Sequence, residues 1–305
     1  MKVNVVSLCS GYDAPVMALK RLKRAYPQFD FNLIAWSEIA PNAIKAHDAV
    51  HPEYSGLNLG DMTKIDWNSL NRGGQSIDLL IYSTPCQSVS RAGARKGMKE
   101  DDDAASALIW HTRKAIEILR PKVLILENVQ GMIDSQNIHD FRRWQDVLTD
   151  FGYENYATIL NTRDYDVAQN RPRLFMVSIL NGQMTYYFPK KMSLKKRIKD
   201  YLEPEVDDKF YLSTDKVKKL FAYSERKKSE GCGFDTQIQT GGYKCHNNNQ
   251  MRRQSNRPAH CNTGIIMNIG RINQGQSGQV IDSKGVSSCL CVAHGVVPII
   301  LEHNE

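Results

Sequence analysis

The sequence predicts an α/β protein: a doubly wound, mostly parallel sheet with a smaller irregular domain after it. Three observations predict this. Short, apolar, β-branched runs alternate with helical stretches over residues 1 to about 180. The chemically distinctive residues fall just after those runs, at the carboxyl ends where a parallel sheet gathers its ligand site. From about Pro189 the chain becomes basic, rich in Gly, Asn and Gln, and poor in large aliphatics. The expected domains are therefore residues 1–188 and 189–305.

Composition narrows the class. The 305 residues are 41% hydrophobic and 24% charged, ordinary for a globular protein. No run of about 18 apolar residues exists, so no membrane span is expected. The start, MKVNVVSLCSG, lacks a secretory pattern. Seven cysteines without framework spacing suggest reduced thiols and a cytoplasmic setting. Cys232, Cys245, His246, His260 and Cys261 contain no C-x-x-C pair, and no metal site is expected.

The elements follow in order. VNVVSL reads as the first strand, CSGYDA as a tight turn at Ser10-Gly11, and PVMALKRLKRAY as a helix. Amides at such a turn hold polar ligand groups, but the three glycines of a dinucleotide fingerprint are missing, so a pyrophosphate is not favoured. FNLIAWSE delivers Glu38 at the second strand's end, either for ribose hydroxyls or as an acid at the start of the next helix, PNAIKAHDAV. In GDMTKID, Asp61 is either a turn residue or an acceptor for an adenine amino group. Together these suggest a nucleoside-bearing cofactor without a phosphate clamp.

SIDLLIYS is the third strand, and it breaks into STPCQS. Pro85 keeps Thr84 extended into Cys86. Cys86 is either a small gap-filling residue or a nucleophile presented at a strand end. After the helical SALIWHTRKAIEIL, the strand KVLILEN carries Glu127 and Asn128 to the same edge, where an acid needs a partner. YATIL and RLFMVSI are the last strands of this part. Before RLFMVSI stand Gln169, Arg171 and Arg173, spaced by two, fit to pair with a carboxylate and a phosphate or simply to form surface salt bridges.

The remainder carries the charge. The net charge is +7, and between Lys190 and His260 there are 17 Lys and Arg against 9 Asp and Glu. Such a segment suits a polyanion, although a solvated lysine-rich surface explains the charge alone equally well. LKKRIKDYL and TDKVKKLFAYSERKK read as short basic helices. Arg252, Arg253 and Arg257 are candidates for DNA contact, since arginine favours guanine edges and phosphates.

The ordered set CSG, SE, GD, TPCQS, LENV and QNRPR resembles the C5-cytosine DNA methyltransferase family of bacteria and phages, over roughly residues 3 to 180. Two departures are mild: Thr84 replaces a proline, and CSGYDA is less glycine-rich than usual. The resemblance implies a Rossmann-like domain binding S-adenosyl-L-methionine and a domain that reads double-stranded DNA. It places the cofactor at Cys9, Ser10, Gly11, Tyr12, Glu38, Ile39, Asp61, Met62, Ser83 and Pro85. It makes Cys86 the covalent nucleophile toward C6 of a flipped-out cytosine. Glu127 then acts at ring N3, Arg173 orients Glu127 and binds the ring oxygen, and Arg171 holds a phosphate. Gln87, Ser90, Asn128, Val129 and Gln169 are the further substrate or DNA contacts.

Two later motifs of the family are not found before Glu305. The expectation is either a truncated form or a catalytic-half subunit completed by a second polypeptide and inactive alone. The same catalytic residues permit RNA as substrate; the large basic segment favours DNA.

Overall fold

The computed structural model describes residues 2–71, 74, 76–86, 89, 107–182 and 184–201, and beyond them isolated positions and short strands. The chain divides into two compact units. One comprises Met1–Leu160 and Arg173–Pro189; the other comprises Asn161–Pro172 and Lys190–Glu305.

The first unit is built on a six-stranded sheet. Its strands are β1 (Lys2–Leu8), β2 (Asp30–Ser37), β3 (Leu79–Tyr82), β4 (Val123–Val129), β5 (Tyr153–Asn161) and, after the two-residue β6 (Gln169–Asn170), β7 (Pro172–Leu180). The order across the sheet is β2-β1-β3-β4-β7-β5. The strands β2, β1, β3 and β4 run parallel, while β7 returns antiparallel to β4. The central strands are apolar because both faces are covered. All four residues of β3 are buried.

Helices cover both faces. Val5, Phe31, Leu33, Leu79 and Ile81 pack with Val16 of α1 (Ala14–Ala25) and Ile44 of α2 (Pro41–Val50). On the other face Val6, Leu8, Leu80, Tyr82, Leu124 and Leu126 pack with Trp67 of α3 (Trp67–Asn71), Ile109 and Ile116 of α4 (Leu108–Leu119), and Trp144 and Leu148 of α5 (Ile138–Asp150). The expected doubly wound sheet is therefore present. Sequence reasoning had not marked α3 and α5. In IHDFRRWQDVLTD the stripe Phe141, Trp144 and Leu148 has helical spacing, but charged residues dilute it.

In the second unit, Asn161–Pro172 contains a 3-10 turn (Thr162–Tyr165) and β6, which pairs in parallel with β11 (Ser287–Ser288). Strands β8 (Gln239–Thr240), β9 (Ile265–Asn268), β10 (Gln279–Asp282) and β12 (Ile299–Leu301) form a sheet in the order β12-β10-β9-β8. The predicted helix LKKRIKDYL is only a 3-10 turn at Ile198–Tyr201. Asp166 Oδ1 accepts the amides of Lys195 (2.7 Å) and Lys196 (3.0 Å), and Asp200 accepts that of Arg197 (2.7 Å), which holds the segment as a loop. Of the second basic stretch, Asp215, Ala222, Tyr223 and Arg226 are helical and most of the rest lies outside the described residues. Among the described residues no helix is long and apolar enough to cross a membrane.

Candidate active site

Register aligns the strand ends. Ser37 of β2, Leu8 of β1, Tyr82 of β3 and Leu126 of β4 form one row across the parallel strands. The next residues along the chain are Glu38, Cys9, Ser83 and Glu127. Four motifs far apart in sequence thus open from a single edge.

At β1 the chain turns through Cys9 (φ 51°), Gly11 (φ 58°) and Asp13 (φ 59°), all left-handed. The turn is held by Ser10 N–H on the Ser37 carbonyl (3.1 Å), Gly11 N–H on Glu38 Oε2 (3.0 Å) and Asp13 N–H on the Ser10 carbonyl (2.8 Å). Asp13 caps α1: its Oδ1 accepts from Val16 N–H (3.4 Å) and from the Ser7 hydroxyl (3.2 Å). Burial pushes the Asp13 carboxyl up to about 6. Gly11 faces open space, with nothing within 4 Å of where a Cβ would sit, and Tyr12 is exposed.

Glu38 serves the helix start. Its Oε1 accepts the amides of Ile39 (2.8 Å) and Ala40 (2.9 Å), while Oε2 takes Gly11. A carboxylate has about four lone-pair sites, so one remains for a ligand hydroxyl. Asp61 forms a turn, with Oδ1 accepting the Thr63 amide (3.0 Å) and hydroxyl (2.8 Å), and these bonds hold its carboxyl below the usual range. Asn58, which sequence reasoning missed, joins the two acids' loops. Its Oδ1 accepts from Glu38 N–H (3.2 Å) and Gly60 N–H (2.9 Å), and its Nδ2 donates to the Glu38 carbonyl (3.1 Å). Ile39 is 67% exposed beside Glu38, whereas Met62 is buried with its Sδ 3.5 Å from Cys9 Sγ. The Cys9 thiol is pushed up to about 12, by burial first and then by the Glu38 and Asp61 carboxylates.

The second half of the edge is braced by side chains. Ser83 N–H donates to the Leu8 carbonyl (3.3 Å), and Pro85 leads to the half-buried Cys86, whose carbonyl accepts the Val89 amide (3.2 Å). Asn128, buried at the end of β4, donates through Nδ2 to the Thr84 carbonyl (3.0 Å) and to Thr84 Oγ1 (3.3 Å). Its Oδ1 accepts the Val129 amide (2.8 Å). Asn128 was expected at the substrate; what it contacts here is the loop before Cys86.

Glu127 has its partner. Register sets Arg173 of β7 opposite Val129, diagonal to Glu127 on the same face, and Arg173 Nε lies 3.2 Å from Glu127 Oε1. The other members of that motif fall in the second unit. There Asn161 Oδ1 accepts the Arg171 amide (3.0 Å), Asn161 Nδ2 donates to Asn170 (2.7 Å), and Thr162 Oγ1 donates to the Gln169 carbonyl (2.6 Å). Asn161 is a second brace that the sequence did not announce. Gln87, Ser90, Arg252, Arg253 and Arg257 lie outside the described residues, as do Cys232, Cys245, His246, His260 and Cys261. Among the described residues no three metal-ligating side chains converge.

The Cys9–Asp13 turn is open to space at Gly11, lies beside the Glu38 and Asp61 carboxylates and contains no lysine or arginine. The profile of the C-5 cytosine-specific DNA methylase family matches residues 3–286, and the chain belongs to that family. It is 39% identical over 160 residues to the type II methyltransferase M2.ScrFI of Lactococcus lactis subsp. cremoris, covering 52% of this chain and 43% of that one. It is 31% identical over 249 residues to the orphan methyltransferase M.SPRI of Bacillus phage SPR, covering 72% and 54%. The chain thus spans about half the length of these curated relatives. The fold is similar to a putative DNA modification methyltransferase encoded within an E. coli prophage, with a TM-score of 0.57, 18% identity and 94% and 82% of the two chains covered.

Proposed function

We propose that this chain transfers a methyl group from S-adenosyl-L-methionine to carbon 5 of cytosine in DNA. The observation that carries the reading is the common edge, on which the Cys86 loop is tied through Asn128 to the strand bearing the Glu127–Arg173 pair. Bound cofactor would supply an electrophilic methyl group on a sulfonium. The turn residues Ser10, Gly11 and Tyr12, with Glu38, Ile39, Asp61 and Met62, are the residues that would hold it; Cys9, Ser83 and Pro85 complete the rim.

The chain's own part is to make cytosine C5 nucleophilic. The Cys86 thiol gives its proton to solvent and its sulfur bonds to C6, breaking the C5–C6 double bond. The charge that develops on the ring is met at N3 by a proton from the Glu127 carboxyl, which Arg173 orients. Once C5 carries the methyl group, loss of the C5 proton to solvent restores the C5–C6 double bond and expels Cys86 as the thiolate, and N3 returns its proton to Glu127. A stacked base cannot be attacked in this way, so the cytosine is taken from the duplex. In this reading Arg171 holds a phosphate. Gln87, Ser90, Asn128, Val129 and Gln169 line or support the base pocket. The domain of residues 189–305 contacts DNA, with Arg252, Arg253 and Arg257 among its contacts.

The test is incubation of the chain with radiolabelled cofactor and mixed-sequence DNA, followed by base analysis. Label on C5 of cytosine is expected; label on cytosine N4 or on adenine overturns the chemistry. The chain covers only 43% and 54% of these relatives' own length, so the assay is run with and without an added second polypeptide carrying the family's later segments. Activity only in its presence assigns the chain the role of a catalytic-half subunit.

A further inference from the structure

The strained turn at the end of β1 raises a question that its own bonds leave open. Cys9 and Asp13 are non-glycine residues in left-handed backbone, a conformation that L side chains adopt at a steric cost. Such strain persists only where the surroundings over-determine it. The bonds to Ser37 and Glu38 fix the turn's beginning. Its end, Asp13, is held by its own amide on the Ser10 carbonyl and by Ser7 and Val16 on its carboxylate, and in addition from the opposite side, by residues that touch nothing in the proposed chemistry.

Those residues form a continuous chain of hydrogen bonds. Glu53, on the 3-10 turn after α2, holds Lys20 Nζ at 2.6 Å. Lys20, on α1, lies 2.7 Å from Nδ1 of His51, which is buried. An ammonium only donates, so Nδ1 must accept and the ring proton must sit on Nε2. Nε2 lies 3.2 Å from the Asp13 carbonyl and therefore donates to it. The same carbonyl accepts the Met17 amide (3.3 Å), so the relay acts on the atom where the turn becomes the helix. Burial, and then the Lys20 charge, hold the His51 imidazolium off, which keeps the ring in the neutral form the relay requires.

We propose that Glu53, Lys20 and His51 are positioning residues that lock the Cys9–Asp13 turn in its ligand-ready shape, so that they set cofactor affinity and not the rate of methyl transfer. The inference rests on the reading that this turn binds S-adenosyl-L-methionine. None of the three would touch the cofactor. They act by removing the conformational cost of ordering the turn upon binding.

The experiment measures binding of S-adenosyl-L-homocysteine by calorimetry, well below each variant's melting temperature, to wild type, Lys20→Met, His51→Leu, His51→Gln and Glu38→Ala. Lys20→Met and His51→Leu should weaken binding about tenfold, the scale of one charge-assisted hydrogen bond. The cofactor KM should rise in parallel, with kcat at saturation unchanged. His51→Gln, which keeps an N–H for Asp13 and a carbonyl for Lys20, should recover wild-type affinity. In wild type, nitrogen-15 shifts should report His51 as the Nε2–H tautomer, and Lys20→Met should mix the tautomers. Wild-type affinity in both Lys20→Met and His51→Leu overturns the relay, even if both melt earlier. Because Lys20 is partly exposed, its variant carries the test if His51→Leu does not fold. If wild type binds no ligand, or Glu38→Ala binds as wild type does, the cofactor reading itself fails and the relay falls with it.

Discussion

Cys9 and Cys86 stand at the ends of adjacent parallel strands, one and four residues past the same in-register row. Their surroundings divide the edge into two halves. Around Cys9 the turn is held mainly by backbone amides bonded to carbonyls and to Glu38, and burial plus two carboxylates keep its thiol protonated. Around Cys86 the loop is held by the Asn128 amide, beside a strand whose carboxylate is matched by Arg173. One half is acidic and held through its backbone. The other pairs its charges and presents side chains. Position at a strand end therefore does not by itself make a nucleophile: burial and two carboxylates hold the Cys9 thiol protonated.

The largest expected effect separates the two thiols. Cys86→Ser should lower methyl transfer by roughly 10⁴–10⁶-fold, the scale of nucleophile removal in covalent enzymes. Cys9→Ser should leave kcat within about threefold, because a thiol held near 12 does no acid–base or nucleophilic work at neutral pH. Single-turnover transfer to an oligonucleotide measures both. Equal losses would erase the distinction between the halves.

Next comes the charge pairing. Arg173→Ala removes the group 3.2 Å from the Glu127 carboxylate and should lower kcat by about 10²–10³-fold, as for loss of one preorganised donor. Arg173→Lys restores a charge without the planar guanidinium and should recover only part of it. If the loss appears in KM for DNA alone, Arg173 serves binding and not the ring.

These tests bear on what could be read before the fold was known. The row of strand ends was legible because each strand is a short apolar run and each candidate residue interrupts it with a polar side chain, as Glu127 does after VLIL. The braces were not. Asn58 stands in a connecting segment and Asn161 at the last position of β5, and an asparagine at such a place has the same local pattern whether it caps its own turn or ties two segments together. Only the bridge between Asn58 and Trp36 of β2 gives Asn58 its partner in Glu38. Both readings of Glu38 and Asp61 were left open, and the structure adds the local half of the answer: each acid organises backbone. Helix α5 escaped notice because its buried stripe is narrow and set among charges.

A third prediction probes the acidic half through pH. Asp13 is fully buried, its Oδ2 has no hydrogen-bond partner, and His47 Nε2 lies 3.8 Å away. Its carboxyl is raised from 3.8 to about 6, so the folded state binds more protons than the unfolded state between those values. That contribution to stability is complete below about pH 4 and is lost as pH rises through about 6. Asn keeps the capping oxygen and tolerates left-handed backbone, but carries no charge. Asp13→Asn should therefore gain up to about 3 kcal/mol over the aspartate protein at pH 8 and nothing near pH 4, in urea melts across that range. His47 and His51, both depressed by burial, make each protein less stable as pH falls below their ordinary range. Because His47 Nε2 lies 3.8 Å from Asp13 Oδ2, the comparison is made in a His47→Gln background, where the remaining His51 trend is common to both proteins. A gain that does not depend on pH would mean the carboxyl is not strained by its site.

The smallest effect tests the side-chain half. Thr84 stands where the family usually has proline, and it is buried, with Oγ1 accepting from Asn128 Nδ2 at a long 3.3 Å while its carbonyl accepts at 3.0 Å. The hydroxyl is thus the weaker of two acceptors for one donor. Thr84→Val keeps the shape and the carbonyl, and should cost about 0.5–1.5 kcal/mol with kcat lowered at most a few-fold. Asn128→Ala removes both bonds and leaves a buried carbonyl without its donor, which should cost about 1–3 kcal/mol and slow transfer more, since the loop before Cys86 is released. In the double variant the two losses should not add. A coupling of about 0.5–1 kcal/mol in denaturant melts is expected for neighbours that share a bond. Strict additivity would mean that the hydroxyl contributes nothing through Asn128, and that the Cys86 loop is held by the backbone bond alone.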